Sequence, residues 1–265
     1  MIPHANERVG EWRRTRERDG RLLVAIDFDG TLAPIVERPD DARLPEEARD
    51  ALLNLAARGD TELAIISGRA LDDLRPRVEV GGIYLAGNHG LEIEGPGVSE
   101  RKEGAVDARP RLDACADEMR TRLADEDGIV VEDKGLTLTL HYRLSPDPGA
   151  RDLVRRELDH CLEGVEGLRV TEGKKVFEVR PDIEWDKGRA TDFLLDLLDA
   201  ECGAPVYAIF IGDDTTDEDA FRALDRRGGG AGIIVSPEPP GGADTAATSY
   251  LRSPAEVVLL LEELG

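Results

Sequence analysis

The sequence is short of cysteine, of positive charge and of long apolar runs. Its three cysteines, Cys115, Cys161 and Cys202, are odd in number and widely spaced. That excludes a disulfide framework or a cysteine zinc site and reads as ordinary thiols in a reducing cytoplasm. No stretch approaches the roughly 18–20 uninterrupted apolar residues of a membrane span. The opening segment, MIPHANERVGEWRRTRERDGR, has no apolar centre, so no signal peptide is expected and the expected location is cytoplasmic. Lysine and arginine number 34 against 56 aspartates and glutamates, a formal charge of −22. This balance excludes nucleic acid and anionic membrane as partners. It also repels an anionic substrate unless a cation or a local basic group reverses the field. Such acidity fits a high-salt habitat, where charge is screened, and equally fits plain solubility. Internal repeats and long low-complexity linkers are lacking too.

What is present, 265 residues with 40% hydrophobic and 34% charged, is ample for one large domain or two small ones. A monomer is expected. Five short runs are β-rich and continuously apolar: LLVAI (22–26), ELAII (62–66), IYLAG (83–87), VYAIFIG (206–212) and AGIIV (231–235). Strands buried on both faces of a parallel sheet read this way. Helical patterns at 44–59, 187–201, 216–227 and 253–265 alternate with several of them. RRGGGAG (226–232) reads as a turn and SPEPPGGAD (236–244) as a loop. The expected fold is α/β, an open doubly wound parallel sheet. The middle differs. A helix at 109–124, strands at 128–133 and 135–143, a helix at 149–163 and strands at 168–172 and 174–180 make a smaller α+β unit. It is expected as an insert over 105–181, leaving 1–104 and 182–265 as one discontinuous core domain. Leu136, Leu138 and Leu140 alternate, so one face of its sheet is covered. The open face carries Lys134, Thr137, Thr139, His141, Arg143, Lys174 or Lys175, and Glu178.

Ligands of open parallel sheets bind beyond the carboxyl ends of the strands. There the sequence delivers Asp27, Asp29 and Thr31 after the first run and Ser67, Gly68 and Arg69 after the second. Asn88, His89 and Glu92 follow the third, and Asp213, Asp214, Thr215 and Asp217 the fourth. A lone Asp-x-Asp is usually a pair of turn acids; a second acidic run arriving at the same edge changes that reading. So many carboxylates raise one another's pKa values and stay ionised together when a cation holds them. Oxygen-only ligands favour magnesium over zinc, and magnesium suits a phosphate substrate. Lys187, in the first turn of a helix, opposes the helix dipole, which favours a role in neutralising phosphate over a solvated surface position. Ser67 and the amide of Gly68, at a helix start, can take further phosphate oxygens. One aspartate is then the nucleophile and the other the general acid and base.

With these residues in place, DFDGTL, ISGR, DKG and GDDTTDE resemble the four motifs of the haloacid dehalogenase superfamily of phosphatases, in order. The resemblance implies Asp27 as nucleophile and Asp29 as general acid/base, with Ser67 and Lys187 holding phosphate. It implies magnesium on Asp27, Asp213 and the Asp29 carbonyl, with Asp214 and Asp217 supporting. The insert resembles the superfamily's α/β cap. Finer motifs, RPDDARLP, GNHGLEI, LTLHYR, GKKVFEVRP, WDKGRA and YLRSPAEV, are similar to the trehalose-6-phosphate phosphatase family. By that resemblance Arg69, His89 and Glu92 of the core and Lys134, Lys174 and Glu178 of the cap read the sugar. Against this stand two plainer roles: a cross-strand ion pair for Lys174 and Glu178, and a satisfied loop histidine for His89. A phosphatase for another sugar phosphate (sucrose phosphate, mannosyl-phosphoglycerate) and a phosphomutase share the same motifs. A phospho-signalling receiver domain also clusters acids with magnesium, but it has no need of Asp29 or of an insert.

Overall fold

The structure, a computed structural model, describes residues 2–36, 38–241 and 245–265; the last three residues of the segment 236–244 lie outside them. It comprises two compact units, Met1–Glu100 with Trp185–Gly265, and Arg101–Glu184. The larger unit begins with α1 (Val9–Asp19), β1 (Leu22–Ile26), α2 (Glu46–Ala56), β2 (Thr61–Ile66), α3 (Leu71–Val78), β3 (Tyr84–Gly87), β4 (Glu92–Gly95) and β5 (Val98–Arg101). The smaller unit follows with α4 (Glu103–Arg122), β6 (Val130–Asp133), β7 (Leu138–His141), α5 (Ala150–Cys161), β8 (Leu168–Gly173) and β9 (Val176–Pro181). The larger unit resumes with α6 (Lys187–Cys202), β10 (Tyr207–Gly212), α7 (Glu218–Arg227), β11 (Gly230–Val235), β12 (Ser249–Leu251) and α8 (Pro254–Leu264).

In the larger unit eight strands pair in the order β12-β11-β10-β1-β2-β3-β4-β5. The sheet is parallel from β12 to β3, and β4 joins antiparallel. The run Leu22–Ile26 is apolar throughout because it meets a helix layer on each face. Leu22, Val24 and Ile26 pack with Leu52 of α2, Leu74 of α3 and Leu260 of α8. Leu23 and Ala25 pack with Leu194 of α6 and Phe221 of α7. Trp12 of α1 is fully buried in the first of these layers. Register places Ile26 opposite Ile211 and Ile65, and Ile66 opposite Ala86, so the strands end together at one edge.

The smaller unit is a four-stranded antiparallel sheet, β6-β7-β9-β8. Leu112, Cys115 and Met119 of α4 and Val154 and Leu158 of α5 cover Leu138, Leu140, Phe177 and Val179. On the opposite face the register sets Thr139 between Glu132 and Glu178. Thr139 and Thr137, expected on an open face, are buried; a short side chain between two longer cross-strand neighbours accounts for Thr139.

Candidate active site

The chain leaving β1 builds the first part of the site. Asp27 continues the ladder, its N–H donating to the Ile211 carbonyl at 2.9 Å. Phe28 turns into the apolar layer, which sends Asp27 and Asp29 to the other side. Gly30 has φ +88°, and a Cβ there would run into the Asp213 carboxylate; only glycine permits the reversal and the close approach together.

Lys187 ties three elements together. It opens α6, whose N-cap Asp186 accepts from the Arg189 amide at 2.8 Å. Its Nζ donates to Asp27 at 2.7 Å and to Asp217 at 2.6 Å, with the lysine 3% exposed. The other Asp217 oxygen accepts from the Asp214 amide at 2.9 Å. Burial works against the Lys187 ammonium, but the charges of Asp217 and Asp27 outweigh it and raise its pKa. Burial pushes the Asp27 carboxyl well up; Lys187 opposes this, and Asp217 and Asp213 add to it. Oxygens of Asp27, Asp213 and Asp217 lie within 4.8 Å of one another. Thr31 donates to Asp213 at 3.3 Å. An all-oxygen donor set, with a carboxyl whose ionisation burial and two acidic neighbours oppose, fits a hard divalent cation such as magnesium. Asp214 is exposed and its carboxylate accepts from the Thr215 amide at 2.7 Å, so Asp217, not Asp214, completes the acidic group.

Beside β1, the end of β2 supplies Ser67, buried, its Oγ accepting from the Arg69 amide at 3.2 Å. The Asn88–His89–Gly90 turn after β3 has positive φ throughout, a conformation Asn and Gly tolerate best. Its amides bond back: Asn88 to the Arg69 carbonyl at 2.7 Å and His89 to that of Ser67 at 2.8 Å. The His89 ring thereby lies against Gly68, where a Cβ would stand 2.9 Å from it. Arg69 grips Asp29 with two 2.7 Å hydrogen bonds and reaches Asp73 with a third, also 2.7 Å. Burial works against its charge and the Asp29 hydrogen bonds overturn that, raising its pKa. Arg77 binds the same Asp73. Glu92 is buried and accepts from the Leu71 amide at 2.9 Å, capping α3, and from Asn88 at 2.8 Å.

Within the smaller unit, Lys134 Nζ lies 4.0 Å from carboxylate oxygens of both Glu132 and Glu178. Arg180 approaches Glu178 at 3.8 Å, and His141 meets Glu132 at 2.7 Å. Lys174 is exposed at the β8–β9 hairpin tip; Glu178 is paired with Thr171 further along. Lys134 and Arg180 are thus both cationic neighbours of the glutamate. The sequence reading missed Asp73 and Arg77, although Arg69, Asp73 and Arg77 recur every four residues, the spacing of helical ion pairs. It also missed Arg180, which strand alternation puts on the same face of β9 as Glu178, two residues away.

Known proteins share this arrangement of chain. The trehalose-phosphatase family model matches residues 25–255. A probable trehalose-phosphate phosphatase D of Arabidopsis thaliana is 38% identical over 253 residues, covering 92% of this chain and 67% of that protein. A trehalose-phosphate phosphatase of Mycobacterium marinum is 42% identical over 241 residues, covering 89% of this chain and 60% of that protein. The solved C-terminal domain of C. albicans trehalose-6-phosphate phosphatase matches with a TM-score of 0.81 at 25% identity, covering 100% of this chain and 98% of that one. The matched span contains the acidic group, Lys187 and the whole of the smaller unit, and the chain belongs to the trehalose-phosphatase family.

Proposed function

We propose that this chain hydrolyses trehalose 6-phosphate to trehalose and phosphate by way of a phosphoryl group carried on Asp27. The observation that carries the reading is the buried contact of Lys187 with Asp27 and Asp217, with Asp213 beside them. A nucleophilic carboxylate, a fixed cation and an oxygen-only acidic group stand at one strand edge. Family membership supports the substrate.

The steps follow from charge. An Asp27 oxygen attacks phosphorus while the bond to the sugar oxygen breaks. Asp29 delivers a proton to the leaving oxygen, then takes one from the water that attacks the phosphoaspartate, and phosphate departs. Lys187 holds positive charge at the attacking carboxylate throughout. The Ser67 hydroxyl and the Gly68 amide donate to phosphate oxygens, with Thr31 steadying Asp213. Asp27, Asp213 and the Asp29 carbonyl, supported by Asp217, would hold magnesium, which when bound supplies charge against the incoming dianion. Lys134, Lys174 and Glu178 of the smaller unit, with His89, read the sugar, since carboxylates accept from hydroxyls and lysines donate to them.

A phosphate-release panel with magnesium tests the reading, using trehalose 6-phosphate, sucrose 6-phosphate, glucose 6-phosphate and an aryl phosphate. Trehalose 6-phosphate should lead by kcat/KM; a clear preference for another sugar phosphate overturns the substrate. Asp27→Asn should lower turnover by about a thousandfold or more. Glu178→Ala should harm trehalose 6-phosphate hydrolysis far more than aryl phosphate hydrolysis, and equal losses would make Glu178 structural.

A further inference from the structure

Two of the three cysteines, far apart in sequence, meet in the smaller unit. Cys115 lies in α4 and Cys161 ends α5; their sulfurs are 3.1 Å apart across a separation of 46 positions. Both are free thiols. Closing them into a bond of about 2.05 Å needs the two sulfurs to approach by roughly 1 Å. They border a surface cavity of about 150 Å³ that Arg111, Glu118 and Leu162 also line. One water-sized molecule needs only about 10–15 Å³ of such space, so the cavity has room for hydrogen peroxide beside both cysteines.

We propose that Cys115 and Cys161 form an oxidisable dithiol, which hydrogen peroxide entering this cavity converts to an intrachain disulfide joining α4 to α5. Cys161, 8% exposed against 3% for Cys115, reacts first. Its sulfur attacks peroxide; a sulfur–oxygen bond forms, the oxygen–oxygen bond breaks, one water leaves and Cys161 becomes a sulfenic acid. The Cys115 sulfur then attacks that of Cys161. The sulfur–sulfur bond forms, the sulfur–oxygen bond breaks, and a second water carries away the remaining thiol proton. Two thiols lose two electrons and one peroxide becomes two waters. Burial pushes both thiols up in pKa, so thiolate is scarce at neutral pH and the reaction is slow there. Its rate should climb with pH by up to about tenfold per unit while both thiols remain mostly protonated.

The experiment uses the full chain carrying Cys202→Ser, which removes the exposed thiol. The folded protein is treated with hydrogen peroxide at pH 8 and examined by intact mass and by peptide mapping without reductant. The expected result is a loss of about 2 Da and of both alkylatable thiols, with a linked peptide pair holding Cys115 and Cys161. Dithiothreitol should reverse it. The oxidised form should melt at least about 5 °C higher, because the bond restricts the unfolded chain over a long loop. Cys115→Ala should stop at the sulfenic acid, a gain of about 16 Da that dimedone traps. Mass gains in steps of about 16 Da without the 2 Da loss would overturn the proposal. So would two thiols still alkylatable after a peroxide dose that fully oxidises Cys202 in the unsubstituted chain.

Discussion

Asp29, the residue proposed to move the proton, has each carboxylate oxygen held at 2.7 Å by one guanidinium. Arg69 is itself fixed: Asp73 takes its remaining arm, and the Phe28 ring lies 5.5 Å beneath. A planar fork held from behind sets the direction of the carboxylate as a lysine point charge would not. Positioning is therefore the better account of Arg69 than sugar reading, and the two differ kinetically. Arg69→Met should lower kcat for trehalose 6-phosphate by about a hundredfold, the lower end of what general acid catalysis contributes. With an aryl phosphate whose leaving group needs no proton, the pre-steady-state burst of aryl alcohol should slow less than about threefold, because the phosphorylation step then bypasses the acid role of Asp29. A raised KM with unchanged kcat on the sugar phosphate would return Arg69 to substrate binding.

At the scale of elements, α3 has eight residues and carries Pro76 inside it, too short to stand on propensity alone. It is held at its start by Glu92, which caps Leu71, and in its first turn by Asp73 between Arg69 and Arg77. Burial would raise the Asp73 carboxyl, but hydrogen bonds from Arg77 and Arg69 win and its pKa is lowered. A lowered carboxylate contributes stability that is present above its unfolded value near 4 and is lost as pH falls through the folded value. Asp73 is 38% exposed, so screening reduces the contribution to on the order of 1 kcal/mol. Asp73→Asn should therefore lower Tm by about 2–4 °C at pH 7, and the gap should close as pH falls from 4 towards 3. A gap independent of pH would mean that shape and not charge matters there. The same short element shows where sequence reading stops. The continuous runs at β1, β2, β3, β10 and β11 were legible because burial on both faces leaves no polar positions. The leucine alternation in β7 likewise announced a second kind of sheet. α3 escaped because Pro76 and two arginines interrupt its pattern, and β4 and β5 escaped because EIEG and VSER are four-residue runs broken by acids. In the site, residue types and order were legible, whereas partnerships were not. That Glu92 caps a helix and Arg69 grips Asp29 follows from the left-handed Asn88–His89 turn and the β1 reversal, which no local periodicity encodes.

For the whole molecule, the charge balance is the property that no single element explains. The 34 basic residues, even if each were paired, would leave 22 acids without a counter-charge. Many arginines are paired at the surface, as Arg75 is with Glu94 and Arg151 with Glu172. Pairs of that kind are worth about 0–1 kcal/mol each, and salt weakens them. Salt also weakens the repulsion among the surplus acids, which acts across the whole surface at distances near the Debye length of about 10 Å at 0.1 M. The surplus acts over many pairs at once, whereas each bridge acts over one, so net repulsion decides the sign. Raising monovalent salt from about 20 mM to 500 mM should therefore raise Tm by several degrees, with no magnesium present. Potassium chloride and tetramethylammonium chloride should act alike at equal ionic strength, since screening does not depend on fitting the Asp27, Asp213 and Asp217 group. A rise with potassium alone would assign the effect to cation binding at that group, and a fall with both would mean that the surface ion pairs outweigh the surplus charge.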